Sequence, residues 1–180
     1  MKKLLKRSVI LTLVLALLVG TMTTSAFAAS TIKVNNAGWT SSYAEANKKA
    51  TVVKKGTSSV KMKSKGQGFL KFTANKTKTW SFTVSSLKHG KSYSYASGYF
   101  YVMTRYGQNN QYIGQEQLVT KGGKNSAMWV RDKNAYYSKS GKVLTRNLLT
   151  RTGKIKLQKG QKVFIYFNLT PGTSFKLNIK

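Results

Sequence analysis

The chain has 180 residues, 32 of them lysine or arginine against three acids, for a formal net charge of +29, with no cysteine and one histidine. That balance excludes a fold held together by internal ion pairs or disulfides, and it leaves little material for metal or paired-carboxylate chemistry. It favours acidic partners instead.

In chain order, Met1 to Arg7 reads MKKLLKR and is followed by the apolar run VILTLVLALLVG and by Ala26 and Ala28 in an A-x-A pattern. This predicts a signal peptide over residues 1–28. The apolar run, about a dozen residues, is shorter than the roughly 20 that a spanning helix needs. Cleavage would take away Lys2, Lys3, Lys6 and Arg7 and leave residues 29–180 as one exported, monomeric and still strongly cationic domain. A cysteine-free exported chain fits a Gram-positive source. The expected location is secreted, with retention on the cell wall as the narrower option.

Residues 31–34, 51–53, 59–62 and 69–73 read as short strands. Between the first two, SYAEANKKA is the best helix candidate, at residues 42–50: Ser42 can cap it, Glu45 stands at the capping-box position, and Lys49 lies four residues beyond Glu45. That structural role takes Glu45 out of any catalytic shortlist. In SSVKMKSKG, alternation puts Lys61, Lys63 and Lys65 on one strand face and Val60 and Met62 on the other. Such a row can track an anionic polymer, or it can charge an edge strand against aggregation.

In TWSFTV, Trp80, Phe82 and Val84 alternate with Thr79, Ser81 and Thr83, the period of a half-buried strand. YSYASGYFYVMTRYG then places Tyr93, Tyr95, Tyr99, Tyr101 and Arg105 on one face and Phe100 and Val102 on the other. The tyrosines are either an outer sheet face partly covered by loops or a stacking platform for sugar rings or bases, with Arg105 and the run Gln108 to Gln111 alongside. Gly98 in the middle is a candidate bulge that would disturb the alternation. Residues 112–113, 118–120 and 127–131 are further strand candidates.

Toward the end, Leu87-x-x-Gly90-x-x-Tyr93 and Leu157-x-x-Gly160-x-x-Val163 share one turn form, the glycine supplying a positive φ ahead of an apolar strand. Lys154, Lys156, Lys159 and Lys162 surround the second turn. KVFIYFNLT is apolar at consecutive positions, as a central strand covered on both faces would be, and SFKLNIK alternates. Many short strands with turns between them predict an all-β fold, an antiparallel, jelly-roll-like β-sandwich. The segment KLQKGQKVFIYFNLTPGTSFKLNIK resembles the closing strands of bacterial pre-peptidase C-terminal type β-sandwich domains, in which a turn glycine precedes one strand and an aromatic-x-Leu-x-Ile/Val pattern ends the chain. The resemblance implies a noncatalytic accessory fold.

No catalytic residue, metal ligand or cofactor site emerges. His89 falls in a turn, and a constellation of His89 with Asp132 and a serine would have to form through space. Because 24 of the 28 cations outside the leader are lysines, the expected binding is diffuse and salt-sensitive, with no sequence-specific reading of nucleic acid. The expected function is therefore noncatalytic binding of an anionic surface or polymer, such as teichoic acid, acidic polysaccharide or DNA. The alternatives are a membrane-active antimicrobial or toxin-like protein, which needs an amphipathic helix or a long alternating hairpin, and an enzyme of unknown type.

Overall fold

The computed structural model describes residues 31–89, 96–131 and 150–180. The leader, Tyr93, Tyr95, Gly90 and Asp132 lie outside the described residues. The fold is an all-β sandwich with one short helix among the described residues. The strands are β1 (Thr31–Val34), β2 (Thr51–Val52), β3 (Gly56–Met62), β4 (Gln67–Thr73), β5 (Lys78–His89), β6 (Ser97–Tyr106), β7 (Tyr112–Gln115), β8 (Leu118–Thr120), β9 (Gly123–Asn125), β10 (Met128–Arg131), β11 (Thr150–Leu157), β12 (Lys162–Leu169) and β13 (Thr173–Ile179), with helix α1 at Tyr43–Lys49.

One sheet has the order β1-β3-β13-β5-β11-β8-β9, and the other has β10-β6-β12-β4-β2 with β7 also paired to β6. Pairing is antiparallel except that β1 runs parallel to β3 and β2 parallel to β4, which departs from a purely antiparallel sandwich at one edge of each sheet. The closing strands β12 and β13, on which the family resemblance rests, lie in opposite sheets.

Alternation decides what goes inside. Trp80, Phe82 and Val84 of β5 and Phe175, Leu177 and Ile179 of β13 meet Leu70 and Phe72 of β4 and Val163, Ile165 and Phe167 of β12 in one buried cluster. Aromatic rings tie the sheets together: Phe72 packs on Trp80 at 4.8 Å and Phe167 on Phe175 at 4.9 Å between centroids. Each such pair contributes about 0.5–1.5 kcal/mol beyond its burial. The Trp80 Nε1–H donates to the Lys76 carbonyl at 3.2 Å, so the largest buried ring leaves no polar atom unsatisfied.

β12 is buried on both faces, as its unbroken apolar run predicts. Its second face, Phe164 and Tyr166, joins Phe69, Met103, Ile113 and Ala46 in a smaller cluster beneath α1. The helix starts as its sequence requires: Ser42 Oγ accepts from the Glu45 N–H at 3.4 Å, and Lys49 Nζ lies 3.7 Å from Glu45 Oε2.

β5 carries a bulge. Its pairing with β13 shifts between Ser174 and Lys176, and Ser86 takes a φ of 55°. The extra residue turns Leu87 into the core and Lys88 outward, reversing the parity set by Trp80, Phe82 and Val84. Gly98, the bulge candidate in β6, pairs in unbroken register with Leu169. Its φ is +146°, and a Cβ there would fall 2.1 Å from the Asn168 carbonyl oxygen, so close backbone approach explains this glycine.

Candidate functional site

The outer face of the seven-stranded sheet is assembled from the polar positions of its strands. Register places Lys33 opposite Lys61, Lys61 opposite Ser174, and Ser174 opposite Lys88. A second row across the strands runs Thr31, Ser59, Lys176, Ser85 and Thr150. Further along, Ser81 lies opposite Lys154, which lies opposite Val119, itself opposite Lys124. The fillers between the lysines are mostly serine and threonine, short donors that leave the ammonium groups standing above the sheet. With strands about 4.8 Å apart, Lys33 and Lys61 are like charges side by side, a placement that costs stability.

At the β5 bulge this face deepens into a cavity of about 340 Å³, lined by Thr31, Ser59, Val60, Ser86, Lys88, Ser174, Phe175 and Lys176. Two lysines and four hydroxyl residues are in the lining, with no carboxylate, a donor set suited to a phosphate or carboxylate group.

The lysine rows run differently from those read along the sequence. β3 ends at Met62, and the backbone turns so that Gly66 N–H donates to the Lys63 carbonyl at 3.0 Å. Lys63 and Lys65 therefore leave the strand, and Lys63 Nζ instead donates to Asn35 Oδ1 at 3.1 Å. The proposed Lys61, Lys63 and Lys65 strand row does not form. Nor is β3 an edge, since β1 and β13 flank it. The rows run across strands because neighbouring strands bring lysines closer than successive outward positions of one strand do.

The second lysine group also divides. Lys154 and Lys156 belong to β11 on the face just described, Lys159 sits in the turn whose Gly160 has a φ of +83°, and Lys162 lies on the other side of the sandwich. There Lys162 Nζ is 3.4 Å from the Tyr43 hydroxyl, and the Arg105 guanidinium stacks 3.8 Å over the Tyr43 ring. Arg105 Nε also donates to the Asn110 carbonyl at 2.9 Å. These residues line a second cavity of about 390 Å³ with Gly160 and Gln161.

Tyr99 and Tyr101 stand on the outer face of the six-stranded sheet, with Phe100 and Val102 in the core. Sequence reasoning missed their companions. Trp129 lies opposite Tyr99 in the register, with ring centroids 6.1 Å apart and planes 20° apart, and Trp39 packs edge-on against Tyr101 at 5.6 Å. Both tryptophans stand alone in weakly patterned segments, so no period along the chain marked which way they face. Burial raises the Tyr101 hydroxyl above its ordinary pKa, with Tyr99 adding to the effect, and burial beside Tyr101 does the same for Tyr166. Both hydroxyls stay protonated at neutral pH.

The two acids among the described residues are engaged in local structure. Glu45 donates its backbone N–H to the Ser42 cap of α1 and pairs its carboxylate with Lys49, and Glu116 accepts a hydrogen bond from the buried Thr104 hydroxyl. His89 ends β5, opposite Thr173. Among the described residues no three His, Asp or Glu side chains gather as metal ligands would, and no helix is long and apolar enough to cross a membrane.

The fold and faces define a β-sandwich with one cationic outer face and one aromatic outer face. No protein-family model and no curated protein matches the chain. Among solved structures it is similar to CorA, a surface-associated copper-binding protein important in copper acquisition in Methylomicrobium album BG8, at a TM-score of 0.40 and 7% identity over 73% of this chain and 98% of that one. A likeness of that degree carries no argument about function.

Proposed function

We propose that this is a secreted, noncatalytic protein that binds anionic polymers of the cell envelope or its surroundings through the outer face of the seven-stranded sheet. The observation that carries the reading is the row Lys33, Lys61, Ser174 and Lys88 across that face, with Lys176 among serine and threonine in the row beside it and a cavity lined by Lys88 and Lys176 at the bulge. Like charges set side by side oppose folding. An anion laid across the rows turns that cost into attraction, and release of its counterions makes the binding steeply salt-dependent. An accessory role of the kind implied by the pre-peptidase C-terminal resemblance accords with this reading.

Binding to immobilised polyphosphate, and to purified Gram-positive walls before and after teichoic acid is stripped, tests the proposal. Retention at about 50 mM salt, release at high salt and loss on stripping are expected. Indifference to every acidic polymer in dilute buffer would refute it. Dye release from anionic vesicles at similar protein concentration would replace it with the membrane-active reading, which has to free a hairpin from β6 although β12, β10 and β7 already pair with it.

A further inference from the structure

The opposite face of the sandwich carries a second arrangement that the cationic face does not explain. Tyr99, Trp129 and Trp39 are 41%, 37% and 47% exposed, a concentration of large rings that burial in the core does not account for. They form a continuous row: Trp39 to Tyr101 is 5.6 Å, Tyr101 to Tyr99 6.3 Å and Tyr99 to Trp129 6.1 Å, with the last two pairs within 28° and 20° of parallel. The row is anchored to the sheet. Tyr101 and Tyr99 sit in β6 between β12 and β10, and Trp39 also packs edge-on against the buried Tyr166 at 5.0 Å.

Polar groups line its margin. In the register Trp129 lies opposite Tyr99, Tyr99 opposite Asn168, and Asn168 opposite Gln67, so two rings are followed across the sheet by two amides. Gln67 Nε2 donates to Asn168 Oδ1 at 3.4 Å, a bond that does not use the Asn168 amide donor or the Gln67 carbonyl oxygen.

We infer that this row is a binding surface for a linear glycan. The face of an aromatic ring is electron-rich and attracts the polarised C–H groups on the flat side of a pyranose, while amides at the margin exchange hydrogen bonds with its hydroxyls. A single nucleic acid strand would also stack, but it needs a cationic track beside the rings. The cations named on this side are dispersed among neutral partners and form no continuous row: Arg105 lies over Tyr43 and donates to Asn110, Lys162 Nζ is 3.4 Å from the Tyr43 hydroxyl, Lys71 Nζ donates to the Asn47 carbonyl at 2.9 Å, and the Arg131 guanidinium lies over one face of Trp129 at 4.6 Å. The free ammonium rows lie on the opposite face. An uncharged glycan fits the chemistry present.

Two of the protein's three tryptophans belong to the row and the third, Trp80, is buried, so intrinsic fluorescence reports on the surface directly. Titration with cellohexaose and with chitohexaose is expected to give a saturable change for at least one, insensitive to salt between about 50 and 500 mM. Trp129→Ala and Tyr99→Ala should each weaken that binding about tenfold or more. Trp129→Tyr and Tyr99→Phe, which keep a π face, should retain it, and Lys88→Gln/Lys176→Gln should leave it unchanged. Unaltered thermal unfolding of the variants separates lost binding from lost fold. The inference is overturned if neither oligosaccharide binds, if binding survives both alanine variants, or if oligothymidylate binds in their place and is released by salt. Failure of polyphosphate binding would refute the cationic-face proposal and leave this one standing.

Discussion

The cavity at the β5 bulge allows the electrostatic proposal to be tested quantitatively. Lys88 and Lys176 line it from neighbouring strands, and replacing both by glutamine removes two ammonium groups while keeping a polar side chain, one bond shorter, that still donates hydrogen bonds. For a flexible polyanion each neutralised phosphate contributes about 0.7 to the slope of log Kobs against log salt. With two fewer phosphates neutralised, the slope should flatten by about 1.4 and, because this term vanishes near 1 M salt, binding should weaken about 25-fold at 0.1 M. Lys48→Gln/Lys162→Gln removes the same formal charge from the helix and from the far side of the sandwich, and it should shift the slope far less. The assay is fluorescence anisotropy of labelled polyphosphate at four or five salt concentrations, with urea unfolding as a check on the fold. Both Lys88 and Lys176 are solvent-exposed, so unfolding should move little. Equal weakening in the two double variants would show that binding follows net charge and not the rows, and the reasoning from this face would fail.

Gly98→Ala should destabilise the protein by several kcal/mol, since the new methyl meets the Asn168 carbonyl oxygen at 2.1 Å and the φ of +146° is strained for any L side chain; a urea midpoint equal to that of the natural chain would contradict this. Ser42→Ala should cost about 0.5–2 kcal/mol through loss of the cap on the Glu45 N–H, seen in the same measurement. Burial raises Tyr101 and Tyr166 above the ordinary tyrosine value of 10.0, so the folded state holds their protons more tightly than the unfolded chain. Their contribution is complete below about pH 10 and is lost as pH rises through the folded values, so stability should fall on the alkaline side. Replacing both with phenylalanine should flatten the alkaline limb in urea titrations above about pH 9, and an unchanged limb would show that other groups set it.

Within single segments the sequence was highly informative. Alternation in TWSFTV and SFKLNIK marked which side chains enter the core, the unbroken apolar run of β12 marked a strand buried on both faces, and Ser42 with Glu45 marked the helix start. These are local properties, governed by a period of two or by a cap three residues away, and a linear reading recovers them. β11 escaped that reading because TRTGKIKL offers only Ile155 and Leu157 as apolar residues, with Gly153 taking the inward position against Leu118.

The sequence by itself determined that the chain would be cationic, free of cysteine and built of strands. Tertiary structure decided where the cations and rings meet. Lys33, Lys61, Lys88 and Lys176 come from four strands, and Trp39, Tyr99, Tyr101 and Trp129 from two strands and a loop. One inserted residue at Ser86 sends Lys88 outward. Neighbours across a sheet are set by pairing between distant segments and by the bulges that shift its register, and neither leaves a periodic trace along the chain.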